Sequence, residues 1–183
     1  PSFSNGLSLS ISPGVPRAHA AVAPALSSGK PCVNEVELAA AALAHKDVRP
    51  KLIGITGTNG KSTTTTMAGA IARAFDRHAF VGGNLGTPYC QCAIDVLEGK
   101  PAPRVAVLEL SSYQLETIAH VSFAAAVVTN LTPDHLDRYE NAAQYYAAKG
   151  RLLALVDEDG GIALNASDPA SGEHLAPLAS LLQ

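Results

Sequence analysis

The most informative stretch of the sequence runs from Leu52 to Thr63 and reads Leu-Ile-Gly-Ile-Thr-Gly-Thr-Asn-Gly-Lys-Ser-Thr. Its first five residues are mostly apolar and predict a buried strand, and a loop with two glycines leads from it into a helical segment. Glycine lets successive backbone N–H groups turn toward an anion, and the start of a helix adds a positive dipole end. Lys61 supplies a mobile cation and Ser62 a hydroxyl that can bind Mg²⁺. The stretch therefore predicts a site for the phosphates of a nucleoside triphosphate.

The match to the common phosphate-loop pattern is incomplete. The pattern G-x-x-x-x-G-K would need glycine where Ile55 stands, so only the shorter G-x-x-G-K-S is present. A plain glycine-containing turn between a strand and a helix is the alternative. The position of Gly60-Lys61-Ser62 at the strand-to-helix junction favours the phosphate loop.

Strand and helix signals alternate along the rest of the chain. Strands are predicted at 52–56, 79–81, 104–110, 124–129 and 162–164, the last after a turn at 157–161, and helices at 34–45, 87–98, 114–119 and 142–156. A further helix follows the phosphate loop, where Met67, Ile71 and Phe75 form an apolar stripe at i, i+4 and i+8. This alternation predicts an α/β fold with a parallel sheet flanked by helices.

The first part of the chain differs in composition from the rest. Ser, Pro and Gly dominate up to Gly29, and the one convincing element before residue 48 is the helix that Asn34 would cap. We expect a domain boundary near 48–51. Residues 1–48 then form one unit, and residues 49–183 form the nucleotide-binding domain, which is expected to be incomplete.

Overall composition excludes several classes of protein. With 183 residues, 47% of them hydrophobic, the chain can build a packed core. Thirteen Lys and Arg against sixteen Asp and Glu give a net charge of −3, too acidic for binding nucleic acid by phosphate neutralisation. There is no apolar run long enough for a membrane span and no secretory signal pattern, so a soluble cytoplasmic protein is expected. The three cysteines are expected to be reduced, with neither a disulfide nor a zinc site.

Three further polar residues are candidates for the site, each with an ordinary alternative. Glu109 ends an apolar strand, where it could hold Mg²⁺ beside the phosphate loop or simply face solvent. His135 follows the next strand and could reach the same edge of the sheet, although a lone histidine is often a surface or capping residue. Lys149 lies on a predicted helix, where a solvated lysine is the ordinary interpretation.

The motifs together resemble the Mur ligases, and the phosphate loop is shared in part with folylpolyglutamate synthetases. The blocks that carry the resemblance occur in the family's order: Thr56–Thr63, Gly82–Gly86, Leu108–Glu116, Thr129–Tyr139 and Tyr146–Lys149. Ser12–Pro16 also resembles the closing part of the family's N-terminal, UDP-binding domain. The resemblance covers about residues 7 to 168 and implies that residues 1–48 are the remnant of that UDP-binding domain.

The resemblance implies a set of ligands and site residues. ATP would lie on the phosphate loop, formed by Gly57, Thr58, Asn59, Gly60, Lys61, Ser62 and Thr63. Ser62 would hold one Mg²⁺, and Glu109, His135 and Lys149 a second, with Lys149 carbamylated by CO₂. Lys61, His135 and Lys149 would be catalytic, and Asn84, Ser111 and Gln114 would face the muramoyl substrate.

The block Glu109–Glu116 resembles that of the member which adds D-glutamate to UDP-N-acetylmuramoyl-L-alanine. The implied reaction is ATP-dependent amide formation through an acyl phosphate in peptidoglycan precursor synthesis, and hence in cell-wall formation, cell shape and division. The full-length enzyme is expected to be a monomer. Family members carry a C-terminal domain that receives the amino acid, so these 183 residues alone are expected to make no amide.

Two alternatives to this function stay open at the level of sequence. One is a different ligase of the same type, either a sister Mur enzyme or a folylpolyglutamate enzyme, against which Ser111–Gln114 argues. The other is a truncated nucleotide-binding module without catalysis.

Overall fold

The computed structural model describes residues 9–15, 19–20, 22–29, 32–84 and 86–180. The strands in this part are β1 (Leu9–Ser10), β2 (Cys32–Val33), β3 (Lys51–Thr56), β4 (Phe80–Gly83), β5 (Val105–Glu109), β6 (Phe123–Val128) and β7 (Val156–Leu164). The helices are α1 (Ala23–Ser27), α2 (Glu35–His45), α3 (Lys61–Phe75), α4 (Tyr89–Leu97), α5 (Ser112–Leu115), α6 (Ala142–Gly150), α7 (Pro169–His174) and α8 (Ala176–Ser180), with a 3₁₀ turn at Leu153–Leu155. None of these helices combines the length and apolar character needed to cross a bilayer.

Five parallel strands form the main sheet, in the order β4-β5-β3-β6-β7. This confirms the predicted α/β fold with a parallel sheet flanked by helices. The central strand is β3, where Ile55 pairs with Glu109 on one side and Thr56 with Val128 on the other. Because the carboxyl ends of parallel strands meet at one edge, the phosphate loop, Glu109 and the segment after β6 are brought together there.

Side chains that alternate along the strands form two hydrophobic clusters, one on each face of the sheet. The larger cluster includes Leu52, Leu108 and Phe123 together with side chains of α2, α4 and α6. The smaller one consists of Ile55, Val107, Ala79 and Ala72, the last of these on α3. Helix α3 is therefore the element that covers the second face around β3 and β5.

The helix predicted at 34–45 is present and begins as expected. The Asn34 side chain accepts hydrogen bonds from the N–H groups of Val36 and Glu37 at 3.0 and 3.2 Å. Val36, Ala39 and Leu43 then belong to the larger core cluster, so α2 packs with the sheet domain. The boundary near residue 48 stays a prediction. Cys32, Cys90 and Cys92 form no disulfide within the described part of the chain.

Three elements differ from the sequence prediction, the first being the helix predicted at 114–119, which is instead a short helix at Ser112–Leu115. The helix predicted at 142–156 ends at Gly150, and a 3₁₀ turn at Leu153–Leu155 follows it. The predicted turn at 157–161 is instead part of strand β7. Pairing moves from Phe123↔Val156 to Ala125↔Gly161, so the extra residues form a bulge in this edge strand. Their exposed acidic side chains disfavour pairing with a further strand.

The apolar stripe predicted on the helix after the phosphate loop exists, but it does not face the core. Met67 and Ile71 are each 63% exposed and Phe75 is 83% exposed. The helix is buried instead through Thr65, Gly69 and Ala72. A Cβ added at Gly69 would collide with the Val81 side chain, so this glycine lets α3 lie close to β4. The small residues therefore make the helix–sheet contact, and the large apolar ones point outward.

This exposed stripe predicts concentration-dependent association of the 183-residue chain, because contiguous exposed apolar surface favours self-contact. Replacing Ile71 by Lys should lower the association constant by at least about tenfold, the scale set by the transfer energy of one large aliphatic side chain. Sedimentation velocity over a range of concentrations measures it. Leu97→Lys is the matched control, since Leu97 is also half exposed but lies on α4. A chain that stays monomeric, or an equal effect of both substitutions, would contradict the prediction.

Candidate functional site

The phosphate loop lies at the carboxyl end of the central strand, and two of its glycines have conformations that other residues avoid. Gly57 has φ 142° and Gly60 has φ 80°. A Cβ at Gly57 would also collide with the Thr129 hydroxyl oxygen. The loop therefore packs directly against the segment after β6.

Thr129 and Asn130 hold the loop in place. The N–H groups of Thr58 and Asn59 donate to the backbone and side-chain oxygens of Asn130, at 2.9 and 3.0 Å. The Thr129 hydroxyl donates to the Asn59 carbonyl at 2.6 Å. Sequence reasoning assigned no role to either residue, although both directly follow a strand at this edge.

These contacts decide which donors of the loop can face an anion. The N–H groups of Thr58 and Asn59 are engaged by Asn130. The first bond within α3 runs from Thr64 N–H to the Gly60 carbonyl, so the N–H groups from Lys61 to Thr63 have no partner within the helix. The available donors are those at the start of α3, where the helix dipole is positive.

Lys61 is half-buried beside these donors. Its Nζ donates to the Thr58 carbonyl at 2.7 Å, which folds the side chain back over the loop. The ammonium group is thus close to the start of α3, and a short movement of a flexible side chain would bring it to a bound phosphate.

Glu109 ends β5 and is 2% exposed. One carboxylate oxygen accepts from the Ser62 hydroxyl and the other from the Asn84 side-chain amide, both at 2.8 Å. The Asn84 N–H also donates to the Glu109 carbonyl at 2.8 Å. Among the described residues, no ion pair includes Glu109. A buried carboxylate without a cationic partner, next to a hydroxyl and a phosphate loop, has the donor chemistry that Mg²⁺ requires.

Lys149 is also buried, with 2% exposure. Its Nζ donates to the Gly57 carbonyl at 2.8 Å and lies 4.5 Å from the centre of the Tyr145 ring. Burial, assisted by the positive charge of Lys61, lowers the pKa of this amine from 10.5 to about 7. The ordinary interpretation of Lys149 as a solvated lysine is therefore wrong, and a large share of the amine is neutral near pH 7.

His135 lies between two aromatic rings. The centre of its ring is 5.2 Å from that of Tyr113 and 5.8 Å from that of Tyr145. The backbone has φ 53°, and its N–H donates to the Asp134 carboxylate at 2.8 Å. The side chain remains 45% exposed, so it can reach a ligand.

A cavity of about 450 Å³ brings together predicted site residues from separate segments of the chain. Its lining includes Lys61, Asn84, Ser111, His135 and Lys149. Glu109 and Ser62 join this group through the hydrogen bonds described above. The rest of the wall consists of residues to which the sequence alone assigned no role, namely Pro13, Gly14, Ser112, Tyr113 and Tyr145.

Gln114 is the one predicted substrate residue outside this lining. It is buried, and its side-chain oxygen accepts from both the N–H and the hydroxyl of Ser111 at 3.0 Å. The Ser111 hydroxyl oxygen in turn accepts from the Gln114 N–H at 3.2 Å. This capping box starts α5 and fixes the orientation of Ser111.

The sequence is similar to known proteins along most of its length. Residues 55–180 match the family model described as the Mur ligase middle domain. The chain is 50% identical over 158 residues to the UDP-N-acetylmuramoylalanine--D-glutamate ligase of Anaeromyxobacter dehalogenans, which covers 86% of this chain and 32% of that protein. It spans about a third of the length of the curated relatives that it matches.

Solved structures share the fold at lower sequence identity. MurF from Acinetobacter baumannii superposes with a TM-score of 0.61 and 21% identity, over 80% of this chain and 33% of that one. MurF ligase from Thermotoga maritima in complex with ADP superposes with a TM-score of 0.58 and 18% sequence identity, over 87% of this chain and 42% of that one. Because the family model extends over most of the chain and these folds agree with it, the chain belongs to the Mur ligase family and carries its middle domain.

Proposed function

We propose that this chain is the nucleotide-binding part of a ligase that uses ATP to join D-glutamate to UDP-N-acetylmuramoyl-L-alanine. The observation that carries the proposal is one cavity in which a phosphate loop, a cationic Lys61 and a buried Lys149 meet, with Glu109 directly behind. The choice of amino acid is supported by the relative that is 50% identical and is named a D-glutamate ligase.

Phosphate binding is assigned to the start of α3. The N–H groups from Lys61 to Thr63, which have no partner within the helix, would hold phosphate oxygens, and Lys61 would neutralise charge on the transferred group. Thr58 and Asn59 would contribute through the shape of the loop, since Asn130 already engages their N–H groups. Gly57 and Gly60 give the loop its conformation.

Magnesium binding is assigned to Ser62 and Glu109 for one ion and to Glu109, His135 and Lys149 for a second. In the described part of the chain, no three His, Cys, Asp or Glu side chains cluster so that they alone could hold a metal ion. A carbamate on Lys149 would supply the missing anionic oxygens. The lowered pKa of the Lys149 amine favours this modification, because CO₂ reacts with the neutral amine. When bound, Mg²⁺ would offset the charge of the phosphates.

The reaction would proceed in two steps. A carboxylate oxygen of UDP-N-acetylmuramoyl-L-alanine attacks the γ-phosphorus, the bond to ADP breaks, and an acyl phosphate forms. The D-glutamate amine then attacks the acyl carbon, loses a proton and displaces phosphate. The protein would contribute chiefly positioning and charge stabilisation. Asn84 and Ser111, which line the cavity, would orient the muramoyl substrate, and Gln114 would act through Ser111.

Phosphate release by a full-length ligase containing these residues tests the proposal. We expect release from ATP only when UDP-N-acetylmuramoyl-L-alanine and D-glutamate are both present, with amide product in equal amount. UDP-N-acetylmuramoyl-L-alanyl-D-glutamate with 2,6-diaminopimelate serves as the control for a sister Mur reaction, and a folate acceptor with glutamate serves as the control for the folylpolyglutamate reaction. Turnover with a control pair would favour another ligase, and Mg-nucleotide binding without any amide would favour a non-catalytic module. The proposal places the full-length enzyme in the cytoplasm as a monomer.

A further inference from the structure

An arginine outside the phosphate loop connects three separate segments of the chain. Arg138 follows His135 in a turn closed by its own N–H, which donates to the His135 carbonyl at 3.0 Å. Its Nη1 donates to the Pro13 carbonyl at 3.2 Å and its Nη2 to the Glu116 carboxylate at 2.9 Å. The guanidinium carbon lies 4.0 Å from the centre of the Tyr113 ring.

These contacts form a largely buried network. The side chains of Arg138 and Glu116 are only 18% and 19% exposed. The second Glu116 oxygen accepts from the Tyr139 hydroxyl at 2.5 Å, and burial raises the pKa of that hydroxyl. Each charged group is thus compensated by a charge or a hydrogen bond, which is the condition for a stable buried pair. A planar guanidinium can stack on an aromatic ring while its nitrogens donate hydrogen bonds in the plane, whereas a lysine ammonium has no planar face to stack.

The Pro13 carbonyl belongs to a turn that lines the substrate cavity. The Val15 N–H donates to the Ser12 carbonyl at 2.9 Å and closes the turn. Pro13 and Gly14 line the same cavity as Lys61 and Asn84. The turn belongs to the segment around β1, which pairs with β2 and not with the main sheet. The Arg138 hydrogen bond therefore ties this segment to the wall of the cavity.

We propose that Arg138 is a positioning residue that holds the Ser12–Val15 turn as one wall of the acceptor-substrate site. The identity of the acceptor rests on the proposed function. The phosphate loop does not depend on this turn, because Thr129 and Asn130, which follow β6, form the hydrogen bonds that hold the loop. Loss of the guanidinium should weaken binding of the acceptor and leave ATP binding intact.

Steady-state kinetics of the full-length ligase test this inference. In Arg138→Lys, KM for UDP-N-acetylmuramoyl-L-alanine should rise about 10- to 100-fold, the scale for losing one or two hydrogen bonds to a charged group. KM for ATP should stay unchanged and kcat should fall by less than about threefold. A fall in kcat with all KM values unchanged would overturn the proposal.

Arg151→Lys is the matched control. Like Arg138, Arg151 donates from two nitrogens of its guanidinium group, here to the carbonyls of Leu115 at 2.7 Å and Ile118 at 3.1 Å, and neither of these two residues lines the cavity. This variant should lower Tm without a selective rise in the acceptor KM. If both variants change Tm and KM alike, Arg138 has only a structural role.

Hydrogen exchange gives a readout that does not depend on activity. In Arg138→Met, the Val15 N–H should exchange at least about tenfold faster, because the turn loses its external hydrogen bond, while the Thr64 N–H in α3 keeps its protection. Unchanged exchange at Val15 would overturn the inference whether or not the ligase is active. A different result would disprove the proposed function alone. In that case the wild-type ligase does not use the acceptor, but the Val15 N–H still exchanges faster in Arg138→Met than in the wild type.

Discussion

A full-length ligase in which Lys61 is replaced by alanine should turn over at least about 10²-fold more slowly, the scale for losing one stabiliser of transition-state charge. Lys61 lies at the start of α3, half-buried, with its Nζ 2.7 Å from the Thr58 carbonyl. The charge that builds up during phosphoryl transfer would lose its nearest mobile cation. Affinity for nucleotide should fall less than turnover, because the N–H groups of α3 remain.

Initial rates of phosphate release, with both substrates saturating, measure this effect. Lys51→Ala is the control, since Lys51 is exposed and begins strand β3 at the end opposite the phosphate loop. It should retain wild-type turnover. Unchanged turnover in Lys61→Ala would remove the assigned role of the phosphate loop.

The second large effect concerns Lys149, whose substitution by methionine should also lower turnover at least about 10²-fold. Methionine is an unbranched side chain only one atom shorter than lysine, and it supplies no amine for CO₂. With its pKa lowered to about 7, about half of the Lys149 amine is neutral at pH 7. An ordinary lysine would be neutral in roughly one molecule in 3,000 at that pH. Lys149 is thus the amine in this site that can form a carbamate near neutrality.

Carbamate formation should rise with pH through the pKa of Lys149, because only the neutral amine reacts with CO₂. At a fixed concentration of dissolved ¹³CO₂, a protein carbamate signal in ¹³C NMR should be weak at pH 6 and strong at pH 8. Besides the carbamate of the α-amino group, whose pKa is ordinarily about 8, the wild type should show a second carbamate resonance that Lys149→Met abolishes and that Lys51→Met, at an exposed lysine, keeps. A second resonance that survives in Lys149→Met, or its absence at pH 8 in the wild type, would contradict the assignment.

The same pKa predicts how stability depends on pH. The folded-state pKa of Lys149 lies below its ordinary value of 10.5, so the unfolded chain binds more protons between about pH 7 and 10.5. The contribution of Lys149 to the free energy of unfolding should therefore rise with pH across this window. In Lys149→Met that part of the pH dependence should disappear.

Several features were predictable because they depend on short stretches of sequence. The strand before the phosphate loop, the glycines at 57 and 60, and the Asn34 cap follow from local hydrophobicity and backbone preference. The parallel order of the strands follows from their alternation with helices. By contrast, the acidic run at 157–159 looked like a turn and is an edge-strand bulge, since pairing with β6 outweighs local preference.

The sequence by itself determined the α/β fold and the glycine loop that leads from β3 into α3, because strand, glycine loop and helix start are contiguous in the chain. Only the tertiary structure decided which groups meet around that loop. Helix α3 turns its small residues inward because close packing on β4 leaves no room for large ones. Asn130, Glu109, Lys149 and Arg138 come from distant segments, and burial at the edge of the sheet, which no local pattern encodes, sets their partners and the low pKa of Lys149.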